Sequence, residues 1–218
     1  MPIPLSVSVL KAAATDFLNE VSESAIPHLF GVTDGKAVGT HVEHEFHKYL
    51  SERHEYNAGS SASGIDFPEL GVDLKVTSLR QPQSSCPFRD ANQKVYGLGY
   101  HLLVFVYEKT DDQQTKSARL NFRHAIFVSA ARTADYQTTQ GIRDILGRNG
   151  NRDDVIAFLE ERNLPLEEIG KNALADEIMR RPPDVGFLTI SNALQWRLQY
   201  GRVIAVAGVE DGVEKLRG

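Results

Sequence analysis

The run HLLVFVYE, His101 to Glu108, decides the fold class of this chain. It is almost continuously apolar and rich in the β-branched and aromatic residues that favour strands. A strand apolar on both sides of its pleat is covered on both faces, so this one belongs at the centre of a sheet. DDQQTKS then turns the chain, and ARLNFRHAIFVS (118–129) returns as a further strand or pair of strands. Upstream, Val72–Leu79 alternates: Val72, Leu74 and Val76 point one way, and Asp73, Lys75 and Thr77 the other. Ile65–Phe67 reads as a short strand, and Pro68-Glu69-Leu70-Gly71 as the turn that makes a hairpin of the two.

Helical spacing surrounds these strands. It runs through Leu10, Ala14, Phe17, Leu18 and Val21 in residues 4–22, and a short second helix is expected near 24–30. DGKAVGTHVEHEFHKYLSER is another helix, apolar at Val38, Val42, Phe46, Tyr49 and Leu50. Residues 57–64 (NAGSSASG) and 80–90 read as loops, and 91–98 as a short helix. Beyond residue 130 the pattern is mostly helical: 131–147, 151–162 and 165–180, ended by RRPPD. Gly186–Ile190 reads as a strand, Ser191 as the cap of a helix over 192–199, and Arg202–Ala207 as a last strand. The expected fold is α/β, a mixed central sheet flanked by helices (1–130) followed by a mostly helical subdomain (131–218), with no compositional break between them.

The chain has 218 residues, enough to bury a substantial core. No apolar run approaches the roughly 20 residues that span a bilayer. The N-terminal stretch lacks a basic region before its apolar residues and does not read as a signal peptide. Cys86 is the only cysteine, which excludes an intramolecular disulfide and points to the cytoplasm. No residue near it in sequence is an activating base. The net charge of −5, from 29 acids and 24 bases, disfavours a protein that coats nucleic acid but leaves room for a local site. An acidic cluster that holds a cation reverses its own sign.

Such a cluster is present in GIDFPELGVDLK, residues 64–75. Asp73 and Lys75, two apart on a strand, share a face. Asp66 on the partner arm of the hairpin converges on Asp73. Two ionised carboxylates in contact repel, and a hard cation between them removes the penalty. Mg²⁺ suits this pair because it takes one or two carboxylates and keeps several waters. A water acidified there can attack a phosphodiester. Lys75 can orient that water, help to deprotonate it, or neutralise charge building on the phosphate. Glu43, close to the apolar side of its helix, is a third carboxylate for a bound water or a second ion. The alternative is an exposed hairpin whose Asp73 and Lys75 only face water.

These residues resemble the PD-(D/E)xK nuclease superfamily, with an acid at the end of one strand and D-x-K on the next. Ile65 stands where that pattern usually has proline. Gly39-Thr-His-Val-Glu43 followed by Tyr49-Leu50 is similar to the superfamily's G-x-x-x-E…YL helix. AGSSASGIDFPELGVDLKVTS (58–78) is most similar to the MutH-like branch and its restriction-endonuclease relatives, with Asp73 where Glu is frequent. The resemblance covers residues 36–108. It implies a restriction-endonuclease-like core, Asp66 and Asp73 as metal ligands with the backbone carbonyl of Leu74, Lys75 as the catalytic lysine and Glu43 beside the metal. It implies Mg²⁺, with Mn²⁺ as a substitute, and double-stranded DNA as the substrate.

Other candidates are weighed against plainer roles. Gln93 and Lys94 precede the central strand, where related nucleases carry an accessory Gln or Lys; the plainer role is capping or a surface charge. Arg80, Gln81, Ser84, Ser85 and Arg89 lie in the loop after the D-x-K strand, where Arg can pair with guanine; a surface loop reads as well. Arg148, Asn149, Asn151 and Arg152, with Arg143, surround the turn RNGNR, which can touch DNA or simply cap helices. His41, His44, His47 and His54 have zinc-like spacing in part, but no second ligand set, so a polar helix face is favoured. Glu45 competes with Glu43, and the match to G-x-x-x-E favours Glu43.

The favoured reading is a Mg²⁺-dependent Type II restriction endonuclease that leaves 5′-phosphate ends. It acts as a homodimer on a palindrome, because protein symmetry mirrors that of the DNA, and it implies a cognate DNA methyltransferase in the same host. A repair or recombination nuclease is the runner-up, although no phosphate-binding G-x-x-x-x-G-K-[ST] loop is present. A DNA-binding protein that has lost catalysis is disfavoured by the intact Asp66, Asp73 and Lys75. A metal-dependent hydrolase of another substrate is the remaining class.

Overall fold

The computed structural model describes residues 3–22, 24–57, 59, 64–86, 89–191 and 196–218. In chain order the elements are β1 (Ile3–Pro4), α1 (Val7–Ser22), α2 (Gly35–Ser51), β2 (His54–Glu55), β3 (Val72–Ser78), β4 (Gln83–Cys86), α3 (Gln93–Tyr96), β5 (His101–Asp112), β6 (Ser117–Val128), α4 (Tyr136–Gly147), α5 (Arg152–Glu161), α6 (Glu168–Arg180), β7 (Thr189–Ile190), β8 (Trp196–Gln199), α7 (Gly201–Val206) and β9 (Val213–Arg217). Short 3₁₀ turns lie at Pro27–Leu29, Pro68–Leu70 and Ala130–Arg132. No helix among the described residues is long and apolar enough to cross a membrane.

Two compact units form, and each is discontinuous in sequence. One comprises Met1–Pro82, His101–Val128 and Val206–Gly218; the other comprises Gln83–Tyr100 and Ser129–Ala205.

The first unit is built on a mixed sheet of order β3-β5-β6-β9, with β3 and β5 parallel and the remaining pairs antiparallel. Parallel neighbours need a long crossover, and residues 79–100 supply it. Leu103, Phe105 and Tyr107 of β5 join the core built with α1 and α2, while Leu102, Val104 and Val106 on the opposite face are fully buried too. The continuous apolar run is therefore covered on both sides, as its composition predicts. Val38, Val42, Phe46 and Leu50 of α2 recur every fourth residue and are all buried. They form one stripe facing the sheet. Phe46 sits among Phe17, Phe67 and Phe105, with ring centroids 5.0–6.2 Å away. Asp34 caps this helix by accepting from the Lys36 amide at 2.9 Å.

The second unit joins a small antiparallel sheet, β4-β8-β7, to α4, α5 and α6. Val95, Ile142, Val155, Leu159, Leu174, Ala175 and Ile178 form its helical core. Asp135, 1% exposed, caps α4 by accepting from Thr138 and also accepts from the Ile190 amide at 2.8 Å, tying helix to sheet.

Several expected elements differ. The strand over Ile65–Phe67 reduces to one bridge, Phe67 to Val72, because Pro68 starts a 3₁₀ turn and Gly71 closes it at φ +60°. Residues 83–86, read as loop, form β4, and the residues of 192–199 that are described form β8 rather than a helix; 192–195 lie outside the described residues. Arg202–Ala207, read as a strand, lies mostly in helix α7. Val203 is buried and Ala205 exposed, a spacing no two-residue period fits. Of the Ser/Gly loop 57–64, residues 58 and 60–63 lie outside the described residues.

Candidate active site

The first unit gathers Asp66, Asp73, Lys75 and Glu43 at the β3 end of its sheet. Even-numbered residues of β3 turn their peptide groups away from β5, as the Val72 pairing with Phe67 shows. The Leu74 N–H therefore points outward, and Asp66 Oδ2 accepts from it at 2.8 Å. The Leu74 carbonyl projects from the same edge, since a strand residue's N–H and C=O point the same way. Asp73 is 4% exposed. Lys75 Nζ lies 2.7 Å from Asp73 Oδ2.

The electrostatics divide the two aspartates. Burial pushes Asp73 up, Lys75 opposes it, and the neighbouring Asp66 carboxylate adds to it, leaving Asp73 at about 7. Burial would raise Asp66, but it is outweighed by His47, by a hydrogen bond with Asp73, by the Leu74 amide and by Lys75, which together hold it at about 2. Burial alone would lower Lys75; the carboxylates of Asp73, Asp66 and Glu43 outweigh it and raise it, so it stands as an ammonium. Glu43 is raised by burial and then by Asp66. Two coupled carboxylates, one buried and one half-buried, are suited to a divalent cation, which removes their repulsion. Among the described residues no group of three or more His, Cys, Asp or Glu side chains gathers around one point. A cation at Asp66 and Asp73 would thus complete its shell with the Leu74 carbonyl and water.

Glu45, the competitor to Glu43, is exposed, whereas Glu43 is half-buried and electrostatically coupled to Asp66 and Lys75. Sequence reading placed His47 on a polar helix face and did not single out Tyr56. His47 places Nε2 4.0 Å from Asp66 Oδ1, and its Nδ1 meets the Tyr56 hydroxyl at 2.9 Å. The available signal was E-x₃-H, which puts Glu43 and His47 on one helix face. Of the other histidines, His41 pairs with His28 at 3.2 Å.

The remaining candidates separate by exposure. Arg80, Gln81, Ser85 and Arg89 are exposed, while the Ser84 hydroxyl is bonded to Tyr200 at 2.5 Å. Gln93 and Lys94 are buried in the second unit. Gln93 Nε2 donates to the Leu98 carbonyl, and burial lowers the Lys94 ammonium pKa against the charge of Asp135. At the RNGNR turn Asn151 caps α5 in a reciprocal box with Asp154, and Arg152 is held by Asp176 and Asn172. Arg143, Arg148 and Asn149 are exposed, Asn149 at φ +59°.

The model of the family "Type II restriction enzyme NspV" matches residues 4–215. The chain belongs to that family. A relative from Nostoc sp., Type II restriction enzyme NspV, is 60% identical over 209 residues, covering 96% of this chain and 95% of the relative. Kinship with the NspV family therefore extends well beyond residues 36–108 and takes in both compact units. By that membership the chain is a site-specific restriction endonuclease. No solved structure matches it.

Proposed function

We propose that this chain cleaves a short specific sequence in double-stranded DNA as a Mg²⁺-dependent nuclease of PD-(D/E)xK type, with Asp66, Asp73 and Lys75 at its centre. The observation that carries this reading is the carboxylate pair at the β3 edge, buried Asp73 beside half-buried Asp66, with an ammonium 2.7 Å from Asp73. Asp66, Asp73 and the Leu74 carbonyl would hold the cation. When bound, that ion supplies Lewis-acid charge and acidifies water. Lys75 orients the attacking water and neutralises charge developing on the phosphate. Glu43 accepts a hydrogen bond from water at the same edge. Attack in line on phosphorus expels the 3′ oxygen and leaves 5′-phosphate and 3′-hydroxyl ends. Mn²⁺ substitutes for Mg²⁺ because it takes the same oxygen ligands.

The exposed Arg80, Gln81, Ser85, Arg89, Arg148 and Asn149 are proposed to contact DNA. A homodimer on a palindromic site, acting in the cytoplasm of a host that carries the cognate methyltransferase, completes the reading. The test is incubation of unmethylated plasmid and phage DNA with the purified protein in Mg²⁺ or EDTA, beside Asp73→Ala and Lys75→Ala. Discrete bands with Mg²⁺, absent in EDTA and from both variants, are expected. Equal cleavage by the variants contradicts the assigned site.

A further inference from the structure

Asp66 is fixed from two sides. Its Oδ2 accepts from the Leu74 amide, and its Oδ1 is the oxygen that faces His47. His47 reaches this place from α2, one turn beyond Glu43, and its ring packs in a three-ring cluster with Phe67 and Tyr56, whose own centroids are 5.8 Å apart. It stacks on Phe67, the residue after Asp66, with centroids 5.1 Å apart and planes 25° apart, and on Tyr56 at 6.1 Å and 20°. Tyr56 adds a polar clamp, since its hydroxyl meets His47 Nδ1 at 2.9 Å and the His47 carbonyl at 3.1 Å. The ring therefore has little freedom to turn, and Nε2 stays toward Asp66 Oδ1. At 4.0 Å this is an electrostatic contact and not a hydrogen bond. It biases where the carboxylate sits without occupying the oxygen a cation needs. Packed on Phe67 and tied to the Tyr56 hydroxyl, this histidine is built as a support and not as a surface polar group.

We propose that His47, clamped by Tyr56 and Phe67, is a positioning residue that presents Asp66 Oδ1 to the divalent cation and thereby sets cation affinity. This rests on the reading of Asp66 and Asp73 as the cation-binding pair. Outer partners of metal-binding carboxylates typically change affinity by about 10–100-fold when removed.

The test is Mn²⁺ binding by the full chain without DNA, followed by electron paramagnetic resonance, for wild type, Asp73→Ala, His47→Ala, His47→Gln and Tyr56→Phe, with a melting temperature for each. Cleavage rates against Mg²⁺ concentration supply a second readout. Wild type is expected to bind Mn²⁺ and Asp73→Ala to lose it. His47→Ala is expected to weaken binding about tenfold, His47→Gln to recover part of that, and Tyr56→Phe to weaken it in the same direction. The Mg²⁺ concentration for half-maximal rate rises in parallel, while the rate at saturating Mg²⁺ changes little. Wild-type affinity in folded His47→Ala and Tyr56→Phe overturns the proposal. Should His47→Ala not fold, Tyr56→Phe decides alone: weakened binding supports the clamp and unchanged binding overturns it. If wild type binds no more Mn²⁺ than Asp73→Ala, the cation-binding pair itself is refuted and the role of His47 falls with it.

Discussion

Replacing Asp73 by Asn keeps the side chain's shape and removes its titration, which isolates the cost of burying two carboxylates together. In the folded chain Asp73 is raised from the ordinary 3.8 to about 7. Folding therefore favours the protonated form. The stability this contributes is fully present below pH 3.8 and is lost as pH rises toward 7. At about 1.36 kcal/mol for each pH unit between the two values, the loss amounts to about 4 kcal/mol. Asp66 titrates at about 2, outside this window, and Lys75 keeps its charge throughout it. The difference in unfolding free energy between wild type and Asp73→Asn should thus move by about 4 kcal/mol in favour of the variant between pH 4 and pH 8. The assay is urea unfolding at several pH values in EDTA, with both proteins side by side so that titrating groups remote from Asp73 cancel. Added Mg²⁺ should restore wild type at pH 8 and leave the variant unmoved, because binding only to the folded state adds stability. A difference that stays flat from pH 4 to pH 8 would show that the two carboxylates do not share a buried site.

Other outcomes follow from the same geometry. Lys75→Met should lower the single-turnover cleavage rate by about 10²–10³ while DNA binding persists, as judged by gel shift in Ca²⁺. Gly39→Ala should raise stability by about 0.5–1 kcal/mol, because the new Cβ would meet only the Val76 carbonyl at 3.8 Å and the Val76 Cβ at 4.0 Å, both ordinary contacts. Gly150→Ala should do the opposite by more than about 1 kcal/mol, since its Cβ would fall 2.4 Å from Ile145 Cγ2; thermal melts of the pair give both signs. Asn151→Ala should cost about 1 kcal/mol through loss of the α5 cap, and DNA cleavage by that variant at a permissive temperature tells whether Asn151 also serves the substrate.

The centre of the fold was legible because its physics is local. A strand buried on both faces must be apolar throughout, and β5 is. The four-residue recurrence of Val38, Val42, Phe46 and Leu50 fixed both α2 and the side on which Glu43 emerges. Elements with little to bury were not legible. β9, Val-Glu-Lys-Leu-Arg, carries charges on an outer strand and buries Val213 alone. β4, Gln-Ser-Ser-Cys, is polar because its partner β8 supplies the order. β8 did leave a trace, as buried Leu198 and Tyr200 alternate with exposed Arg197 and Gln199. In α7 the β-branched Arg-Val-Ile-Ala-Val favours a strand locally, and the three- and four-residue spacing of its less exposed residues prevailed. At the site, Asp73 and Lys75 were readable from strand alternation and Asp66 from the turn that follows it. His47 looked like one more polar residue on a histidine-rich helix. Only the fold brings Phe67 and Tyr56 around it.

The central claim is that a divalent cation sits between Asp66 and Asp73 at the β3 edge. Anomalous diffraction from crystals soaked in Mn²⁺ tests it most directly. The account predicts a peak within about 2.0–2.3 Å of a carboxylate oxygen of each aspartate and of the Leu74 carbonyl. It also predicts that the peak is absent from Asp73→Ala crystals. A peak elsewhere on the protein, with none between these carboxylates, would contradict it.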